Sequence, residues 1–431
     1  MAADVDEIAL ARSCLLDFLA VSLAAAGQRE VRDTVAGMMD GVPGQIPTPV
    51  TGIVGETERA ALAWGYCGHF LDYDDVSEAI IGHPSAVLFA ALLPIAAERR
   101  APVGEVLEAF LEGYRFMAGW GARHAEEIYS RGWHTTSVFG VLGAAKALAR
   151  LLRLDEEAAQ HTIGIAASLS SGVRANFGSR TKPLHAGWAA GAAVFAVKMG
   201  RLGIDSSPEA LTGPSGLLAA LGSVDRGFEE VDLRGDVVLK PYPSCGYSLR
   251  LIDAALALRP RIGDVGTIAR VTCIVSPRAD DVLRFRQPAS ENEGRFSAEF
   301  ATASALVDGV VGLETFAKLS DGSVPTAVRD VIGKTERSID EPVASLGEER
   351  SAVEVLMSDG TVVREEVRYP TGHSQRPMSR TQRSDKFTDC TSWIWSTEEG
   401  RKRFDAVDSA PLDQPTESLL EGLLGTGSAV S

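Results

Sequence analysis

The sequence predicts a mainly α protein in which a large helical region is followed by an α+β segment over about residues 260–370. In the helical region, runs of small and apolar residues recur at helical spacing. Residues 267–276 alternate between apolar and polar positions, which is typical of a strand. Residues 351–369 alternate on both sides of Asp359-Gly360, which predicts a β-hairpin.

Length and composition limit the kind of protein. A chain of 431 residues is expected to hold two domains. Its 42 basic and 58 acidic residues give a formal charge of −16, which argues against a nucleic-acid partner. The five cysteines are scattered, so we expect reduced thiols and a cytoplasmic location. The acidic N-terminus does not resemble a signal peptide, and we expect no apolar run long enough to span a membrane.

The predicted elements follow one another along the chain, separated by turns rich in proline and glycine. The helices of the first region are predicted over residues 6–27, 29–39, 57–72, 86–97, 104–126, 137–152, 155–175, 183–199, 206–222 and 248–258. A loop is predicted over residues 42–56.

After the strand at 267–276, further helices are predicted over 297–319 and 324–334. Beyond the hairpin, two helices at 386–395 and 398–407 are expected to pack back on the first region. The last residues, 409–431, are expected to form a flexible tail with a short leucine-bearing turn.

Three polar turns each introduce a helix of small residues, and each turn carries a histidine or a lysine. Lys182 and His185 flank Pro183, which fits the first turn of a helix. His83 precedes Pro84, and His134 opens the third helix. Because helix N-termini favour negative charge, we interpret the turns as one pocket for a carboxylate or phosphate. On its own, Lys182 is equally compatible with a structural lysine tied to a carboxylate.

Two further groups of polar residues lie on loops. Asp72, Asp74 and Asp75 precede the His83 turn, and as a group they favour a site, although Asp74 alone is interpreted as a helix cap or surface acid. Lys240 and Tyr242 are displayed by a proline-rich turn. A ligand contact is favoured for Lys240, whereas a packed ring is slightly favoured for Tyr242.

Motifs for other chemistries are absent from the sequence. There is no P-loop, no G-x-G-x-x-G after a strand, no H-E-x-x-H and no G-x-S-x-G. The seven histidines do not fall in a zinc-ligand spacing. We therefore expect acid–base chemistry by lysine, histidine, aspartate and tyrosine, without a cofactor or a metal.

Taken together and in this order, the motifs resemble those of the MmgE/PrpD family, which includes 2-methylcitrate dehydratase, cis-aconitate decarboxylase and iminodisuccinate epimerase. The resemblance covers nearly the whole chain to about residue 405. It is carried by Asp72-Tyr73-Asp74-Asp75 with Gly82-His83-Pro84-Ser85, Gly132-Trp133-His134-Thr135, Asn176-Phe177-Gly178 with Thr181-Lys182-Pro183-Leu184-His185-Ala186-Gly187, Lys240-Pro241-Tyr242-Pro243-Ser244-Cys245, Arg295-Phe296-Ser297 with Ser304-Ala305-Leu306-Val307-Asp308-Gly309, and Lys386-Phe387.

The resemblance implies a large all-helical domain over residues 1–258, completed by C-terminal helices at about 385–408. It also implies a smaller α+β lid domain over 259–384, a homodimer and a pocket at the domain boundary. The residues that it places in the pocket are Asp72, His83, His134, Lys182 and Lys240.

Some positions depart from the family pattern. Val76 and Ser77 stand where dehydratase-like members often carry Thr-His, and Gly246 and Leu249 stand where many members carry Arg and His. Arg180 stands where the family usually has a neutral residue. These departures weigh against 2-methylcitrate dehydratase itself, and residues 387–393 look closer to the iminodisuccinate epimerase end of the family.

The resulting prediction is a cofactor-independent lyase or isomerase that removes a proton next to a carboxylate of a small di- or tricarboxylate. His134 and His83 are the expected acid–base pair, and Asp72 is expected to orient a histidine or a lysine. The residues expected to contact the substrate are Lys182, Lys240, His185, Tyr242 and Asp75. The dehydratase type is the first hypothesis, with an epimerase or a cis-aconitate-type decarboxylase as alternatives. An inactive carboxylate-binding scaffold, and a hydrolase or metal-dependent lyase, remain open as well.

Overall fold

The computed structural model describes residues 5–340 and 349–425 and has a mainly α fold with a small mixed sheet. The packing of the chain divides it into two compact units. Unit 1 consists of Met1–Phe70, Asp74–Val237 and Ser379–Ser431, and unit 2 of Leu71–Tyr73 and Val238–Met378. The units divide at Val237 and Ser379, whereas the sequence places its domain boundaries at 258 and 384. The all-helical and lid domains therefore stay a prediction.

Unit 1 is mainly helical, with one short antiparallel strand pair, β1 (Ile46–Pro47) and β2 (Val54–Gly55), in the segment expected to be a loop. Two further short strands are β3 (Val76–Ser77) and β4 (Val237–Val238). The helices are α1 (Val5–Ala26), α2 (Arg29–Met39), α3 (Thr57–Phe70), α4 (Ser85–Arg99), α5 (Val103–Ser130), α6 (Thr135–Leu151), α7 (Glu156–Ser168), α8 (Thr181–Arg201), α9 (Leu217–Ala220) and α10 (Leu233–Asp236).

Helix α1 corrects one expectation from the sequence. The stretch Asp6–Ala26 is long and apolar enough to cross a membrane by length and composition, although no such run was expected. In this structure, 78% of the most apolar 18 residues of this stretch is buried, because α3, α4, α5 and two C-terminal helices pack around it. This burial is typical of a core helix in a globular protein.

Small residues allow the central helices α3 and α8 to pack closely. At Gly65, an added Cβ atom would lie 2.7 Å from the Cα atom of Gly187, and at Gly187 it would lie 2.4 Å from the carbonyl oxygen of Leu62. Neither position has room for a side chain without moving backbone. The abundance of glycine and alanine in these helices therefore brings the ends of α3 and α8 together, and both ends carry polar residues.

The C-terminal segment returns to unit 1 as α17 (Arg380–Cys390), α18 (Thr397–Asp408) and α19 (Thr416–Leu424). Helices α17 and α18 pack on α1, where Lys386 forms a buried ion pair with Asp17. Their predicted completion of an all-helical domain stays a prediction. The prediction of a flexible tail is wrong for α19, whose Leu419, Leu420 and Leu423 are buried where the helix packs on α4. Residues 426–431 lie outside the described residues.

Unit 2 contains a four-stranded sheet with the order β6-β5-β7-β8. The strands are β5 (Ile268–Val275), β6 (Thr335–Ile339), β7 (Ser351–Met357) and β8 (Val362–Val367). The predicted strand and the predicted hairpin are confirmed as β5 and as the antiparallel pair β7–β8. Strand β6, parallel to β5, was not predicted. The helices are α11 (Leu249–Leu258), α12 (Pro277–Val282), α13 (Glu291–Gly294), α14 (Ala298–Asp308), α15 (Leu313–Asp321) and α16 (Thr326–Gly333).

Three predicted helices are shorter than expected, and the one predicted over 155–175 ends at Ser168 as α7. The helix predicted over 206–222 is reduced to α9, because Pro208 and the Gly213-Pro214 pair interrupt a regular helix. The helix predicted over 297–319 is divided into α14 and α15 at Gly309, which adopts the left-handed conformation with φ of 70°.

Candidate active site

Four buried histidines of unit 1 lie next to one another and form what we call the histidine row: His83, His69, His134 and His185. The ring centroids of His83 and His69 are 4.4 Å apart, and those of His69 and His134 are 5.7 Å apart. The centroids of His134 and His185 are separated by 5.3 Å. The sequence predicted three of these residues as site residues, whereas His69 was not singled out.

The starts of three helices position the row, as the polar turns predicted. Helix α4 begins two residues after His83, α6 begins directly after His134, and His185 lies near the start of α8. His69 lies at the end of α3. None of the three N-cap residues of α4, α6 and α8 caps its helix with a side chain. The partial positive charge of these N-termini therefore adds to a site that favours anions.

The turn that carries His83 is held against the start of α6. The backbone N–H of His83 donates to Thr136 Oγ1 at 3.1 Å, and Thr135 Oγ1 donates to the carbonyl oxygen of Ile81 at 2.8 Å. Between them, Gly82 leaves no space for a side chain, since an added Cβ would lie 2.8 Å from Thr136 Oγ1. These contacts fix His83 on a rigid support.

Asp74 lies beneath two histidines of the row. It is completely buried, and its Oδ2 atom lies 2.8 Å from His69 Nδ1, in a hydrogen bond, and 3.2 Å from His83 Nδ1. Burial alone would raise the pKa of Asp74, but the two histidines outweigh it and hold that pKa well below its usual value. Asp74 is therefore an ionised part of the site, and its interpretation as a cap or surface acid is wrong.

The neighbouring carboxylate, Asp75, contacts the start of α4. Its carboxylate accepts hydrogen bonds from the backbone N–H of Ser85 at 3.2 Å and from Ser85 Oγ at 2.6 Å, at the start of α4. Burial raises the pKa of Asp75 to about 7. These bonds give Asp75 a part in holding the loop before α4, and its predicted contact with substrate stays a prediction.

Three histidines of the row, His69, His134 and His185, are held neutral. Burial, with a smaller effect of the Lys182 charge, lowers the pKa of His69 to about 3, of His185 to about 4, and of His134 well below its usual value. Asp74 opposes this effect at His69 without reversing it. At neutral pH these three imidazoles are therefore unprotonated, and a nearby negative charge would be needed to bring their pKa values towards the neutral range in which a general base works best.

Lys182 stands beside the row on the first turn of α8. Its ammonium lies 5.3 Å from the centroid of the Phe177 ring, and the edge of His134 packs against the same ring with centroids 4.9 Å apart. The lysine is 5% exposed, and its charge acts on three of the four histidines. The predicted grouping of Lys182, His134 and His185 is thus present in unit 1.

His134 and His185 are joined by a hydrogen bond between their rings. Their Nδ1 atoms are 3.1 Å apart, so one nitrogen must donate and the other accept. The backbone N–H of His134 also donates to the carbonyl oxygen of Gly172 at 3.0 Å. Gly172 has a φ of 106°, and an added Cβ there would lie 3.3 Å from the His185 ring. The close approach of this loop thus requires glycine.

Unit 2 contains the other two predicted charged residues, as an ion pair. Lys240 is completely buried, and its Nζ atom contacts Asp72 Oδ1 and donates to the Asp72 carbonyl oxygen at 2.7 Å. Asp72 adopts a left-handed conformation with φ of 50°, which is uncommon for a residue other than glycine. Asp72 therefore pairs with a lysine, and its predicted role in orienting a histidine or a lysine stays a prediction.

Tyr242 is anchored through its hydroxyl. The hydroxyl donates to Asp253 Oδ1 at 2.7 Å, and the same carboxylate accepts from the backbone N–H of Thr371 at 2.6 Å and pairs with Arg376 at 3.0 Å. Burial first, and then Asp253, raises the pKa of Tyr242. This arrangement agrees with the interpretation of Tyr242 as a packed ring, and its contact with substrate stays a prediction.

Two of the residues that depart from the family pattern have structural partners in unit 1. Ser77 donates to Asp236, which also accepts from Tyr114. Arg180 forms a surface ion pair with Glu30. Ser77 and Arg180 are thus held by the fold.

One group within the described residues has the spacing of metal ligands: His69, Asp74 and His83 offer ligand atoms within 4.8 Å of one another. The 2.8 Å separation of His69 Nδ1 and Asp74 Oδ2 is that of a hydrogen bond, and two ligands of one zinc ion lie farther apart than this. The distance thus fits a hydrogen bond between His69 and Asp74 better than two ligands of one metal ion. The expectation of metal-free chemistry stays a prediction.

Family models match both parts of the chain. The MmgE/PrpD N-terminal domain matches residues 2–227, and the MmgE/PrpD C-terminal domain matches residues 242–410. The chain belongs to the MmgE/PrpD family. The resemblance inferred from the motifs is therefore confirmed, and the first of these matches includes the whole histidine row.

Curated relatives of the chain carry the name cis-aconitate decarboxylase. The mouse protein is 27% identical over 357 residues, which is 76% of this chain and 70% of the relative. The human protein is 26% identical over 347 residues, covering 76% of this chain and 71% of the relative. The Aspergillus terreus protein is 24% identical over 326 residues, covering 69% and 66%.

Proposed function

We propose that this protein is a lyase that acts on a small di- or tricarboxylate, with decarboxylation of a cis-aconitate-type substrate as its reaction. The observation that carries the proposal is a row of four buried histidines beside Lys182, of which three lie at the starts of helices and three, His69, His134 and His185, are held neutral. The similarity to proteins named cis-aconitate decarboxylase favours this reaction over dehydration and epimerisation.

The proposed decarboxylation requires a positive charge beside the carbon that loses CO₂. When the bond to a carboxylate carbon breaks, CO₂ leaves and the electron pair stays on the neighbouring carbon, where a proton must be added. A cation beside that carbon stabilises the developing negative charge more strongly in a buried site than in water. Lys182 supplies this charge, and His134 and His83 are the groups that exchange the proton. A bound polycarboxylate also adds negative charge to the row, which raises the tendency of its imidazoles to carry a proton.

The remaining predicted residues have supporting roles in this proposal. The hydrogen bond between the Nδ1 atoms of His185 and His134 influences which nitrogen of His134 carries a proton. Lys240, already paired with Asp72, is proposed as a carboxylate contact on the family resemblance alone. Tyr242 and Asp75 are proposed as substrate contacts on the same ground.

The test is a substrate screen on chelator-treated protein, followed by proton NMR. The panel contains cis-aconitate, citrate, 2-methylcitrate, tartrate and iminodisuccinate. We expect cis-aconitate to lose CO₂ and to give an unsaturated dicarboxylate, with the His134→Gln protein as the inactive control. An alkene formed from a hydroxy acid without CO₂ would establish a dehydratase, and an inverted centre an epimerase. Binding of these acids without turnover of any would support an inactive carboxylate-binding protein.

A metal arm of the same screen tests metal independence. Activity that persists after chelation supports the cofactor-free reaction. Activity that is lost to the chelator and restored by one metal ion would instead assign His69, Asp74 and His83 as its ligands, because they are the described group with that spacing.

A homodimer in the cytoplasm completes the proposal. One face of α8 exposes Leu184, Trp188 and Phe195, with 38%, 50% and 41% of their surfaces accessible. Such a stripe of large apolar residues is typical of a surface that a second copy covers. All five cysteines are free and buried, which fits a reducing compartment. Light scattering should give the mass of a dimer, and Trp188→Glu should give that of a monomer.

A further inference from the structure

We propose that Asp236 is a positioning residue for His83, because its carboxylate holds the short hairpin 77–82 that directly precedes this histidine. The kinetic consequence of this assignment rests on the proposed function. The hold of Asp236 on the hairpin does not, and it is measured separately.

The hairpin 77–82 contains a strained residue. Its ends are joined by two backbone hydrogen bonds, from the Ser77 N–H to the Gly82 carbonyl oxygen at 2.8 Å and from the Gly82 N–H to the Ser77 carbonyl oxygen at 3.2 Å. Between them, Ile81 has a φ of 49°, in the left-handed region that β-branched residues rarely adopt. Such a conformation persists only where the surrounding contacts outweigh its cost. The hairpin therefore needs support from outside.

Asp236 supplies this support from a segment 159 residues further along the chain than Ser77. Its Oδ1 atom accepts a hydrogen bond from the backbone N–H of Ala79 at 2.7 Å, and its Oδ2 atom accepts from the hydroxyl of Ser77. Asp236 is buried, so water does not compete for these bonds. One carboxylate thus holds both the first residue and the turn of the hairpin.

Helix α5 supports Asp236 and the hairpin together. Tyr114 of α5 is completely buried, and its hydroxyl donates to Oδ2 of Asp236. Farther along α5, Gly121 leaves space for the hairpin, since an added Cβ would lie 2.5 Å from Ile80 Cγ2 and 2.9 Å from the carbonyl oxygen of Ala79. Ile80 is completely buried at this contact. The hairpin is therefore packed against the helix that also fixes Asp236.

The support requires a carboxylate, because donors face both of its oxygens. Burial raises the pKa of Asp236, and the hydrogen bonds from Ser77, Tyr114 and Ala79 act against this rise. An asparagine carries one oxygen that accepts and one amide group that only donates. Asp236→Asn therefore keeps the size of the side chain but loses acceptance on one of its two sides.

The position of the hairpin sets the position of His83, which follows it directly. On one side, the start of α6 holds the turn through the hydrogen bond from the His83 N–H to Thr136 Oγ1. On the other side, Asp236 holds it through Ser77 and Ala79. A displacement of about 1 Å in a catalytic group can lower a rate by about 10²-fold. Loss of the Asp236 contacts should therefore reach the proposed proton transfer at His83.

The first test measures hydrogen exchange of the backbone amides of residues 76–83 by mass spectrometry, in the protein without substrate. Ser77→Ala removes the hydroxyl that donates to Asp236 and accepts from the Ile80 N–H at 3.4 Å. Exchange in this peptide should become about five- to tenfold faster, as expected when a buried hydrogen bond is lost. Asp236→Asn should have a larger effect and Tyr114→Phe a smaller one. Exchange at the wild-type rate in Asp236→Asn would overturn the proposal.

Unit 2 offers a matched control for Ser77→Ala. The hydroxyl of Ser276 donates to Glu349 at 2.9 Å and accepts from the backbone N–H of Ala279, three residues on, at 3.1 Å. Ser276→Ala therefore removes the same two kinds of contact from another part of the fold. Its exchange in residues 76–83 should be that of the wild type. Equal acceleration of this peptide by the two variants would reveal general destabilisation and refute the role of Asp236.

The kinetic arm separates positioning from stability. Ser77→Ala should lower kcat by about 10–100-fold with little change in KM, and Ser276→Ala should retain the wild-type kcat. Because Ser77 acts through Asp236, the double variant Ser77→Ala with Asp236→Asn should be no slower than Asp236→Asn alone. A wild-type kcat in Ser77→Ala despite faster exchange, or fully additive losses in the double variant, would contradict the positioning role.

The outcomes distinguish this inference from the proposed function. If the wild-type protein turns over none of the carboxylates, the proposed function fails, and exchange in residues 76–83 still decides whether Asp236 holds the hairpin. If turnover is present and the variants do not change exchange, this inference fails alone. If Asp236→Asn does not fold, Ser77→Ala and Tyr114→Phe test the same contacts with smaller changes.

Discussion

The histidine row of unit 1 and the Lys240–Asp72 pair of unit 2 are both buried and polar, but they are stabilised in opposite ways. The row contains three buried imidazoles that are held neutral, those of His69, His134 and His185, so these can still gain a proton. The pair buries two charges that neutralise each other. A buried charge is stable only when it is paired, whereas a buried neutral base remains reactive. This difference favours the row over the pair as the place of the proposed proton transfer.

The largest expected effect is on turnover, at His134. His134→Gln keeps a hydrogen-bonding side chain but removes the base, so kcat should fall by about 10²–10⁴-fold. The melting temperature should stay near that of the wild type. Normal turnover by this variant would remove His134 from the mechanism and leave His83 as the sole candidate base.

Substitutions in the Lys240–Asp72 ion pair should instead lower the stability of the folded protein. Asp72→Asn removes the Asp72 charge from the completely buried Lys240, which should lower the free energy of unfolding by about 3–5 kcal/mol. Urea denaturation measures this loss. An apolar double substitution, Asp72→Leu with Lys240→Met, should be less damaging than either single one, because no unpaired charge remains. A single variant as stable as the wild type would contradict the structural importance of the pair.

Lys182 should affect binding more than stability. Lys182→Met removes the cation beside the row, and KM should rise by about 10–100-fold, the usual value of a charged hydrogen bond. The same variant should raise the pKa of His185 above its value of about 4, since the lysine charge helps to lower it. An unchanged KM would place the substrate carboxylate elsewhere.

The row also predicts how stability depends on pH. His69 and His185 have folded pKa values of about 3 and 4, and His134 is lowered too, against 6.5 for an unfolded histidine. The unfolded chain therefore binds more protons, and stability should fall as the pH drops from about 6.5 towards 4.

Asp75 acts in the opposite direction. Its pKa, raised from 3.8 to about 7, lets the folded state bind a proton that the unfolded state does not bind. Asp236, whose pKa is raised by burial, adds to this effect, so two carboxyl groups oppose three histidines. Urea midpoints between pH 4.5 and 7 should still rise with pH, and more gently in His185→Gln. A flat or falling profile would show that the histidines are not buried in the neutral form.

The smallest effect is expected at Tyr242. Tyr242→Phe removes one hydrogen bond to Asp253, whose carboxylate keeps Thr371 and Arg376 as partners. The free energy of unfolding should fall by about 1 kcal/mol. A large rise in KM for this variant would instead support the predicted contact with substrate.

Much of the site was accessible from the sequence because its residues open helices. His83, His134, Lys182 and His185 precede or begin runs of small residues, and that pattern is visible without the structure. His69 was not accessible, because it ends a helix instead of opening one. Asp74 was missed because a carboxylate next to two others gives no local sign of which one is buried against histidines.

In the fold, too, local sequence patterns predict some elements and miss others. Strand β5 and the β7–β8 hairpin have strong alternation and a turn signal, and both were predicted. Strand β6 has no such alternation, and it forms only by pairing in parallel with β5, which is distant in sequence. Helix α19 was taken for a flexible tail because its three buried leucines are recognisable only against α4. Long-range contacts thus decide the elements that local patterns miss.

The most direct test of the central claim is deuterium incorporation from D₂O into the product of cis-aconitate by the chelator-treated wild-type protein, compared with His134→Gln. We expect one solvent deuterium at the carbon that loses CO₂ or at its conjugated partner, and no product from the variant. Equal product formation by the two proteins, or the absence of exchange and turnover with every carboxylate of the panel, would contradict proton transfer by the histidine row.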